Sequence, residues 1–258
     1  MSDDRTLEFN LATIESKLTE TQDRWQRLFP PSLQTNEHSE YIKGLLISLF
    51  KESPDLLNCR VDSIWRAIAS IVKLGLKPDG MMGECYLIRY GQEAKLQIGY
   101  KGLVELARRS GEISKIVTYV VREGDEFEYS TGIDSYERHR PCDSANRSEQ
   151  PITHAVAAIK LTNGEINLQV MDWSALERHK TQYSKGANSK HSPWNTAEEQ
   201  MCKKTVLSGL LRSGCVPIQT DVEIDMKQSN PVVTNVEFEE LVENYNESPA
   251  SEGNLASA

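Results

Sequence analysis

The chain has 258 residues, of which 38% are hydrophobic, which is enough for one moderately large globular domain with flexible ends. It contains no apolar run near the roughly 18 residues that span a bilayer and no signal-peptide pattern at its start, so we expect a cytosolic, cytoplasmic protein. Five cysteines and five histidines show neither CxxC nor HExxH spacing. We therefore expect no disulfide framework and no metal site.

The formal net charge of −9 opposes binding to phosphate, but the charge is unevenly distributed. Residues 221–258 contain nine acidic residues and one basic residue, which leaves 28 basic and 29 acidic residues in positions 1–220. We interpret 221–258 as an acidic, flexible tail with a short amphipathic patch that includes Phe238, Leu241 and Tyr245. Whether residues 1–220 bind nucleic acid therefore depends on local clusters of basic residues.

Helical spacing dominates the first 75 residues. Residues 1–35 form a weakly amphipathic arm that ends at Pro30 and Pro31, and this arm either serves self-association or packs on its own core. The globular domain, residues 36–220, begins with a helix over Ser39–Lys51. A second helix follows, with Asp62 as N-cap and Gly75 as its end.

The pattern then changes to short alternating strands. A hairpin is predicted from Cys85–Tyr90 and Ala94–Tyr100, then a helix to Gly111, and then strands at Ile116–Val121 and Glu126–Ser130. The Asn163-Gly164 dipeptide predicts a type I′ turn between His154–Leu161 and Glu165–Val170, whose buried face would be Ile166, Leu168 and Val170.

Helical signals return after these strands. Asp172 is expected to cap a helix through Lys180, and Thr196 with Glu199 has the spacing of a capping box for a helix that ends near Ser213. Helices before, between and after antiparallel strands predict an α+β fold, a small antiparallel sheet with hairpins flanked by helices.

No catalytic motif is visible: the sequence lacks GxSxG, a phosphate loop and acidic pairs at nuclease spacing. We therefore expect a protein that is not an enzyme and has no cofactor. Two alternatives stay open, a nucleic-acid nuclease and a non-catalytic adaptor that works through its arm and tail. Strand cleavage with a divalent metal would identify the first, and failure to bind nucleic acid would indicate the second.

Basic residues carry the functional hypothesis. Lys101 and Arg108 are seven residues apart on one helix face, with Arg109 and Lys115 close by, an arrangement that suits either a phosphate backbone or solvent. Lys203 and Lys204 fall near the apolar sector of the last helix. There a lysine must snorkel, pair with an acid, or line a groove that a ligand fills.

Cations and aromatic residues also alternate along the polar loop Gln182–Pro193. Lys180, Lys185, Lys190 and His191 lie near Tyr183 and Trp194, a combination that supplies backbone attraction and base stacking to a single strand. A solvated loop is the alternative. Tyr86, Tyr90 and Tyr100 also offer stacking surfaces, although aromatic residues in strands are more often core residues.

Three blocks of the sequence form a recognisable pattern. The first contains GYKGLVELARRSG, the second THAVAAIKLTNG with MDWSALER, and the third SPWNTAEEQMCKKTVLSGLLR. In this order the blocks resemble the RecT family of phage recombinases, and the resemblance covers about Ser39 to Ser213. It implies ATP-independent binding and annealing of single-stranded DNA by rings or helical filaments. The implied fold is a small antiparallel sheet flanked by helices, distantly similar to other strand-annealing proteins.

The resemblance also implies site residues and partners. The GYKG, ARRSG and MCKKT elements carry over to pairs of DNA-binding residues at Tyr100 and Lys101, Arg108 and Arg109, and Lys203 and Lys204. Additional expected DNA contacts are Trp194, Arg89, Lys115, Arg122, Lys185 and Lys190. Expected partners are single-stranded DNA, the annealed duplex intermediate, other copies of the chain, a phage exonuclease and a host single-strand binding protein.

Overall fold

Helices occupy the first part of the chain and antiparallel strands follow them, which confirms the α+β prediction. The computed structural model describes residues 3–80, 82–183, 192–218, 223–225 and 230–232, and side chains within 11–80, 82–183 and 192–218. These residues divide into two units. The first unit contains residues up to Gly102 and the two short strands after position 220, and the second runs from Leu103.

Four helices begin the first unit, α1 (Asp3–Glu20), α2 (Gln22–Gln26), α3 (Asn36–Glu52) and α4 (Val61–Leu74). Within the predicted arm, Leu18 and Trp25 are buried, and the Trp25 indole donates a hydrogen bond to the Leu18 carbonyl at 2.8 Å. Both α1 and α2 contact α3. These described residues of the arm therefore pack on the core of their own unit.

A hairpin of β1 (Cys85–Tyr90) and β2 (Glu93–Ile98) completes the main part of the first unit. It packs on α4, where the Ser63 hydroxyl accepts a hydrogen bond from the Ala94 amide at 2.9 Å. The α4 N-cap is Arg60 rather than the expected Asp62, whose carboxylate pairs with Arg60 and Arg66. Strands β8 (Glu223–Asp225) and β9 (Asn230–Val232) form a separate pair.

Helix α5 (Tyr100–Arg109) crosses from the first unit into the second. The second unit contains a sheet with strand order β3 (Ile113–Arg122), β6 (Ile152–Leu161), β7 (Ile166–Asp172), and a separate hairpin of β4 (Glu126–Ser130) and β5 (Tyr136–Arg140). Helices α6 (Trp173–Tyr183), α7 (Pro193–Thr196) and α8 (Glu198–Arg212) follow.

Helix α8 covers one face of the three-stranded sheet. Ala155, Ala157 and Ile159 point to this face and are fully buried. A Cβ atom on Gly209 would lie 2.7 Å from the Gln169 amide nitrogen, so the glycine permits close approach of α8 to β7. Gln169 pairs with Ala157, which fixes the residues of β7 that face α8.

The opposite face of β7 corrects the prediction for this strand. Ile166 is 46% exposed, and Leu168 and Val170 are only half-buried, because α8 packs on the other face. The turn also differs, since Leu161 pairs with Glu165 and leaves a three-residue connection that Gly164 closes at φ 94°. The strand β5 was not predicted, because three of the five residues in its sequence, YERHR, are charged and none is aliphatic.

Two predicted boundaries are wrong and one predicted helix cap is correct. Tyr100, which was expected to end a strand, begins α5, and Thr196, which was expected to cap the last helix, ends α7. The Asp172 cap is confirmed, because its carboxylate accepts a hydrogen bond from the Ala175 amide at 2.7 Å.

Within the described ranges, no helix is long and apolar enough to cross a bilayer, and no group of three His, Cys, Asp or Glu side chains is arranged to hold a metal ion. The five cysteines are free thiols, and Cys59, Cys85 and Cys202 are buried. Burial raises the pKa of the Cys202 thiol to about 11, so this group stays protonated at neutral pH.

Candidate nucleic-acid interface

The GYKG element brings two segments of backbone into close contact. A Cβ atom on Gly99 would lie 2.2 Å from the Gly83 carbonyl oxygen, and one on Gly102 would lie 2.1 Å from that of Glu84. No other residue type fits at these positions without displacing backbone. The Gly99 amide also donates a hydrogen bond to the Glu84 carbonyl at 2.8 Å. The two glycines therefore fix the start of α5 against the loop that precedes β1.

Lys101 lies between these glycines and is exposed. Its ammonium makes no hydrogen bond or ion pair with the described residues. A point built as the Cβ position of Gly83 is 2.8 Å from the Tyr86 hydroxyl oxygen and 3.9 Å from Cδ of Lys101. Lys101 and Tyr86 therefore flank the same glycine, and a free cation lies beside an exposed aromatic ring.

The outward side of the β1–β2 hairpin extends this surface. Cys85 and Leu87 point into the core, so the alternate residues of β1 point outward, and Tyr86 and Tyr90 are 38% and 56% exposed. The Lys95 ammonium lies 5.8 Å from the centre of the Tyr90 ring. We call this outward side the hairpin face, defined by Tyr86, Ile88, Tyr90, Glu93, Lys95 and Gln97, of which Glu93 pairs with Arg60 and Arg66.

Sequence reasoning undervalued the hairpin face. Tyr86 and Tyr90 were considered as stacking residues but assigned mainly to the core, and Lys95 was not singled out. The signal was present, because the buried Cys85 and Leu87 define the parity of β1 and leave both tyrosines on the other side. The pairing of Ile88 with Lys95 could not be predicted without the register of the hairpin.

Positive and negative side chains lie in different places around the hairpin face. Arg89 is exposed and donates hydrogen bonds to the carbonyls of Gly91 at 2.7 Å and Asp55 at 3.5 Å, and it makes no ion pair with a carboxylate of the described residues. A cleft of about 600 Å³ lies beside Tyr86, between α3 and β1, and carries the carboxylates of Glu52 and Asp79. Phosphate is attracted to Lys101, Lys95 and Arg89 and repelled by this cleft.

The remaining predicted cations of α5 differ in their availability. Arg108 is exposed and makes no ion pair with the described residues, whereas Arg109 pairs with Glu105 at 3.0 Å. Tyr100 is half-buried at the start of the helix. Lys115, on β3, is exposed and is also without an ion pair in the described part of the chain.

Lys203 and Arg122 share one carboxylate. The Lys203 ammonium lies 2.5 Å from Oε1 of Glu199, and Arg122 lies 2.8 Å from Oε2 and also donates a hydrogen bond to the Gln150 carbonyl at 2.6 Å. The hydrogen bond from Lys203, followed by that from Arg122, lowers the pKa of Glu199. Of the three outcomes foreseen for Lys203, pairing with an acid is the one found, whereas Lys204 is exposed.

A buried carboxylate organises the turn that follows β3. Arg147 binds both oxygens of Asp125, at 2.8 and 2.6 Å, and His139 lies 2.9 Å from the second oxygen. The Arg122 and Cys142 amides donate two further hydrogen bonds at 3.0 Å. The Arg147 guanidinium is the main cause that holds the pKa of Asp125 far below its usual value, so the carboxylate stays charged.

Trp194 is a correction to the predicted interface. Its ring is only 3% exposed, and the Lys180 ammonium lies 5.8 Å from its centre. Core packing therefore explains this residue, because a buried ring presents no face to a base. Lys185, Lys190 and His191 lie outside the described residues, and so does the tail patch with Phe238, Leu241 and Tyr245.

The described residues form an α+β protein in which exposed cations lie beside exposed tyrosines. The family model described as the RecT family matches residues 42–240. Protein RecT of Escherichia coli (strain K12) is 34% identical over 190 residues, which cover 70% of this chain and 68% of that protein. The uncharacterized protein YqaK of Bacillus subtilis (strain 168) is 24% identical over 207 residues, which cover 80% and 68% of the two chains.

The chain belongs to the RecT family. This membership places it among DNA-recombination and strand-annealing proteins. It also confirms the resemblance found in the GYKG, ARRSG and MCKKT elements, which all lie within the matched residues 42–240.

Proposed function

We propose that this protein binds single-stranded DNA and anneals complementary strands without hydrolysing a nucleotide, as a ring or helical filament of many copies. Family membership supports the general role, and the hairpin face with Lys101 supports the mode of binding. A cation beside an aromatic ring supplies both parts of non-specific strand binding, backbone attraction and base stacking.

The proposed site is built around Lys101, Tyr86, Lys95 and Tyr90. Two cations contact phosphates of one strand, while the two tyrosines offer flat surfaces on which bases stack. Both tyrosines are on the same side of one rigid hairpin, separated by a single outward residue, Ile88. The side chains therefore need little ordering when a strand binds.

Annealing follows from such binding without a catalytic residue. The protein neutralises the phosphates of one strand, which lowers the repulsion that a second strand meets. Base pairing then selects the complement, since contacts to the backbone carry no sequence information. Neighbouring copies in the proposed oligomer extend the paired region.

Other predicted cations fall into two groups in this proposal. Arg89, Arg108 and Lys115 are exposed, make no ion pair with the described residues, and are proposed as further phosphate contacts. Lys204 is exposed, already makes an interaction of its own, and is also proposed as a phosphate contact. Arg109, Lys203 and Arg122 already bind carboxylates, so that DNA contact requires a phosphate to replace Glu105 or Glu199. Lys185 and Lys190 remain proposed contacts from sequence alone.

The organisation of the chain is also part of the proposal. Residues 1–35 form the arm, 36–220 the annealing domain, and 221–258 an acidic tail for partner docking or solubility. Proposed partners are a phage exonuclease that makes single strands and a host single-strand binding protein, in the cytoplasm of the host cell. Removal of residues 221–258 should alter partner binding or oligomer size, and unchanged behaviour in both would refute the role of the tail.

The annealing proposal is tested with two complementary dye-labelled oligonucleotides. One strand is added to the purified protein and the second afterwards, without nucleotide and with or without magnesium. We expect rapid pairing of intact strands under both conditions. The Tyr86→Ala protein should anneal more slowly, and Tyr41→Ala, which removes a ring of α3 that is 48% exposed, should match the unaltered protein.

The alternatives predict different results in the same experiment. A nuclease shortens the strands when magnesium is present, and an adaptor leaves the rate of spontaneous pairing unchanged. Either result would contradict the proposed function.

A further inference from the structure

Strands β3 and β6 are out of regular register at one point. Ile113 pairs with Leu161, but the next pair is Lys115 with Lys160, so Ser114 is an extra residue in β3. This is a β-bulge, a feature that reorients the side chains that follow it. Next to the bulge, Lys115 and Lys160 lie directly opposite each other across the two strands.

The regular register that follows the bulge fixes the face of Lys115. From Lys115 to Val121 the pairing has no shift, so Lys115 and Lys160 lie on the same face as Val117 and Ala158. Both lysines are exposed there, whereas Ile159 points to the opposite face and is fully buried beneath α8.

The two ammonium groups are not neutralised by the described residues. Neither lysine side chain makes an ion pair or a hydrogen bond with the described residues. The closest acidic residues along these strands are Glu112 and Glu165, and both contribute backbone carbonyls to the pairing with residues 161 and 162. Like charges directly opposite each other on a sheet destabilise it, so the free protein carries a repulsion that a bound anion would remove.

The sheet beside the pair is apolar and partly open. Lys160 pairs with Ile166, which is 46% exposed, and the next row across the sheet contains Val117, Ala158 and Leu168, all half-buried. A phosphate held between the two ammonium groups would therefore have an apolar surface beside it. A sugar or a base fits such a surface, whereas a free inorganic anion leaves it exposed.

We infer that Lys115 and Lys160 form a phosphate-binding site for the backbone of a nucleic-acid strand, with Val117, Ala158, Leu168 and Ile166 as the surface for the attached nucleoside. Lys115, Lys160 and the sheet belong to the second unit, whereas the hairpin face belongs to the first. The identity of the strand as DNA rests on the proposed function.

The test measures the salt dependence of oligo-dT binding and thermal unfolding for Lys160→Ala and Lys160→Glu. Loss of one phosphate contact should reduce the logarithmic salt slope by about 0.7, which makes the affinity loss between about 50 and 200 mM salt smaller by about 2.5-fold. In phosphate-free buffer of low salt, removal of the repulsion should raise the unfolding midpoint by about 1 to 3 °C, and more with glutamate.

The matched control is Lys51→Ala, which removes an exposed lysine from α3. It should leave the salt slope unchanged and should not raise the midpoint. An unaltered slope for Lys160→Ala, or a midpoint that does not rise, would overturn the inference.

Inorganic pyrophosphate separates this inference from the proposed function. It should raise the unfolding midpoint of the unaltered protein more than that of Lys160→Ala. If this difference appears while the unaltered protein neither binds oligo-dT nor anneals strands, the proposed function fails and the phosphate site stands. If strands anneal but the pyrophosphate effect is equal in both proteins, the phosphate site fails alone.

Discussion

The hairpin face of the first unit and the charge network of the second contain the same types of charged residue in different roles. Next to the hairpin face, Lys101 is exposed and meets no carboxylate of the described chain. In the charge network, defined by Arg122, Glu199, Lys203, Asp125 and Arg147, each cation binds a carboxylate within 2.8 Å. Whether a cationic side chain is available to bind a phosphate thus depends on neighbouring side chains that are distant in sequence.

This difference has an energetic reason. A free exposed cation gains its full interaction with phosphate, whereas a paired cation must first give up a carboxylate. Glu199 is 77 residues from Arg122, so no local sequence pattern predicts that ion pair. Lys203 and Glu199 are four residues apart on α8, a spacing at which opposite charges meet.

The largest predicted effect is on the stability of the charge network. Asp125→Ala leaves the Arg147 guanidinium without the carboxylate that binds it, so we expect a loss of about 3 kcal/mol in the free energy of unfolding. Denaturant titration measures this loss. Oligo-dT affinity of the folded protein should stay within about twofold, and a large loss of affinity would link the network to DNA binding.

Asp125 also predicts a pH dependence. Its pKa is lowered in the folded protein, so its contribution to the free energy of unfolding is complete above about pH 4, the ordinary pKa of an aspartate. This contribution declines as the pH falls further. Asp125→Asn should flatten the stability curve in this acidic range. An identical acid dependence in both proteins would show that other carboxylates dominate.

Two glycine substitutions test the packing beneath Lys101. Gly102→Ala places a Cβ atom 2.1 Å from the Glu84 carbonyl oxygen, so we expect a loss of about 1 to 3 kcal/mol in stability and weaker strand binding. Gly44→Ala, in the middle of α3 with nothing within 4 Å, should stabilise the protein by up to about 1 kcal/mol. Equal effects of the two changes would contradict the close approach.

The tyrosines of the hairpin face should contribute through stacking. Tyr90→Ala is expected to reduce oligo-dT affinity by about 5-fold to 150-fold, which corresponds to about 1 to 3 kcal/mol per stacked base. Tyr90→Phe keeps the ring and should retain most of the affinity. A Phe variant as weak as the Ala variant would assign the effect to the hydroxyl instead.

The smallest effect is expected from Glu199→Gln, which releases Lys203 and Arg122 from their shared carboxylate. Because Glu199 is 39% exposed, the stability loss should be about 1 kcal/mol or less. Fluorescence anisotropy with oligo-dT gives the second readout. If the two cations contact DNA, affinity should rise, whereas unchanged affinity would remove both from the proposed interface.

The sequence predicted the α+β class and most elements because caps, glycines and strand alternation are local signals. Gly75 ends α4 at φ 59°, and Asp172 caps α6, both as expected. The open face of β7 was mistaken for its buried face, because the choice between the two faces depends on where α8 packs.

For the candidate site, the sequence identified cations but not their partners. Lys101 and Arg108 are exposed as helical spacing predicted, whereas the burial of Trp194 depends on contacts outside its own segment. The Lys115–Lys160 pair depends on the register between β3 and β6. Strand register and long-range ion pairs require the tertiary structure.

The most direct measurement compares the salt dependence of oligo-dT binding for Lys101→Ala and Lys203→Ala. We predict that the Lys101 variant lowers the logarithmic slope by about 0.7, since a free cation is lost. The Lys203 variant should leave the slope unchanged, because its cation already neutralises Glu199. A reduced slope for Lys203→Ala together with an unchanged slope for Lys101→Ala would contradict the assignment of strand binding to the hairpin face.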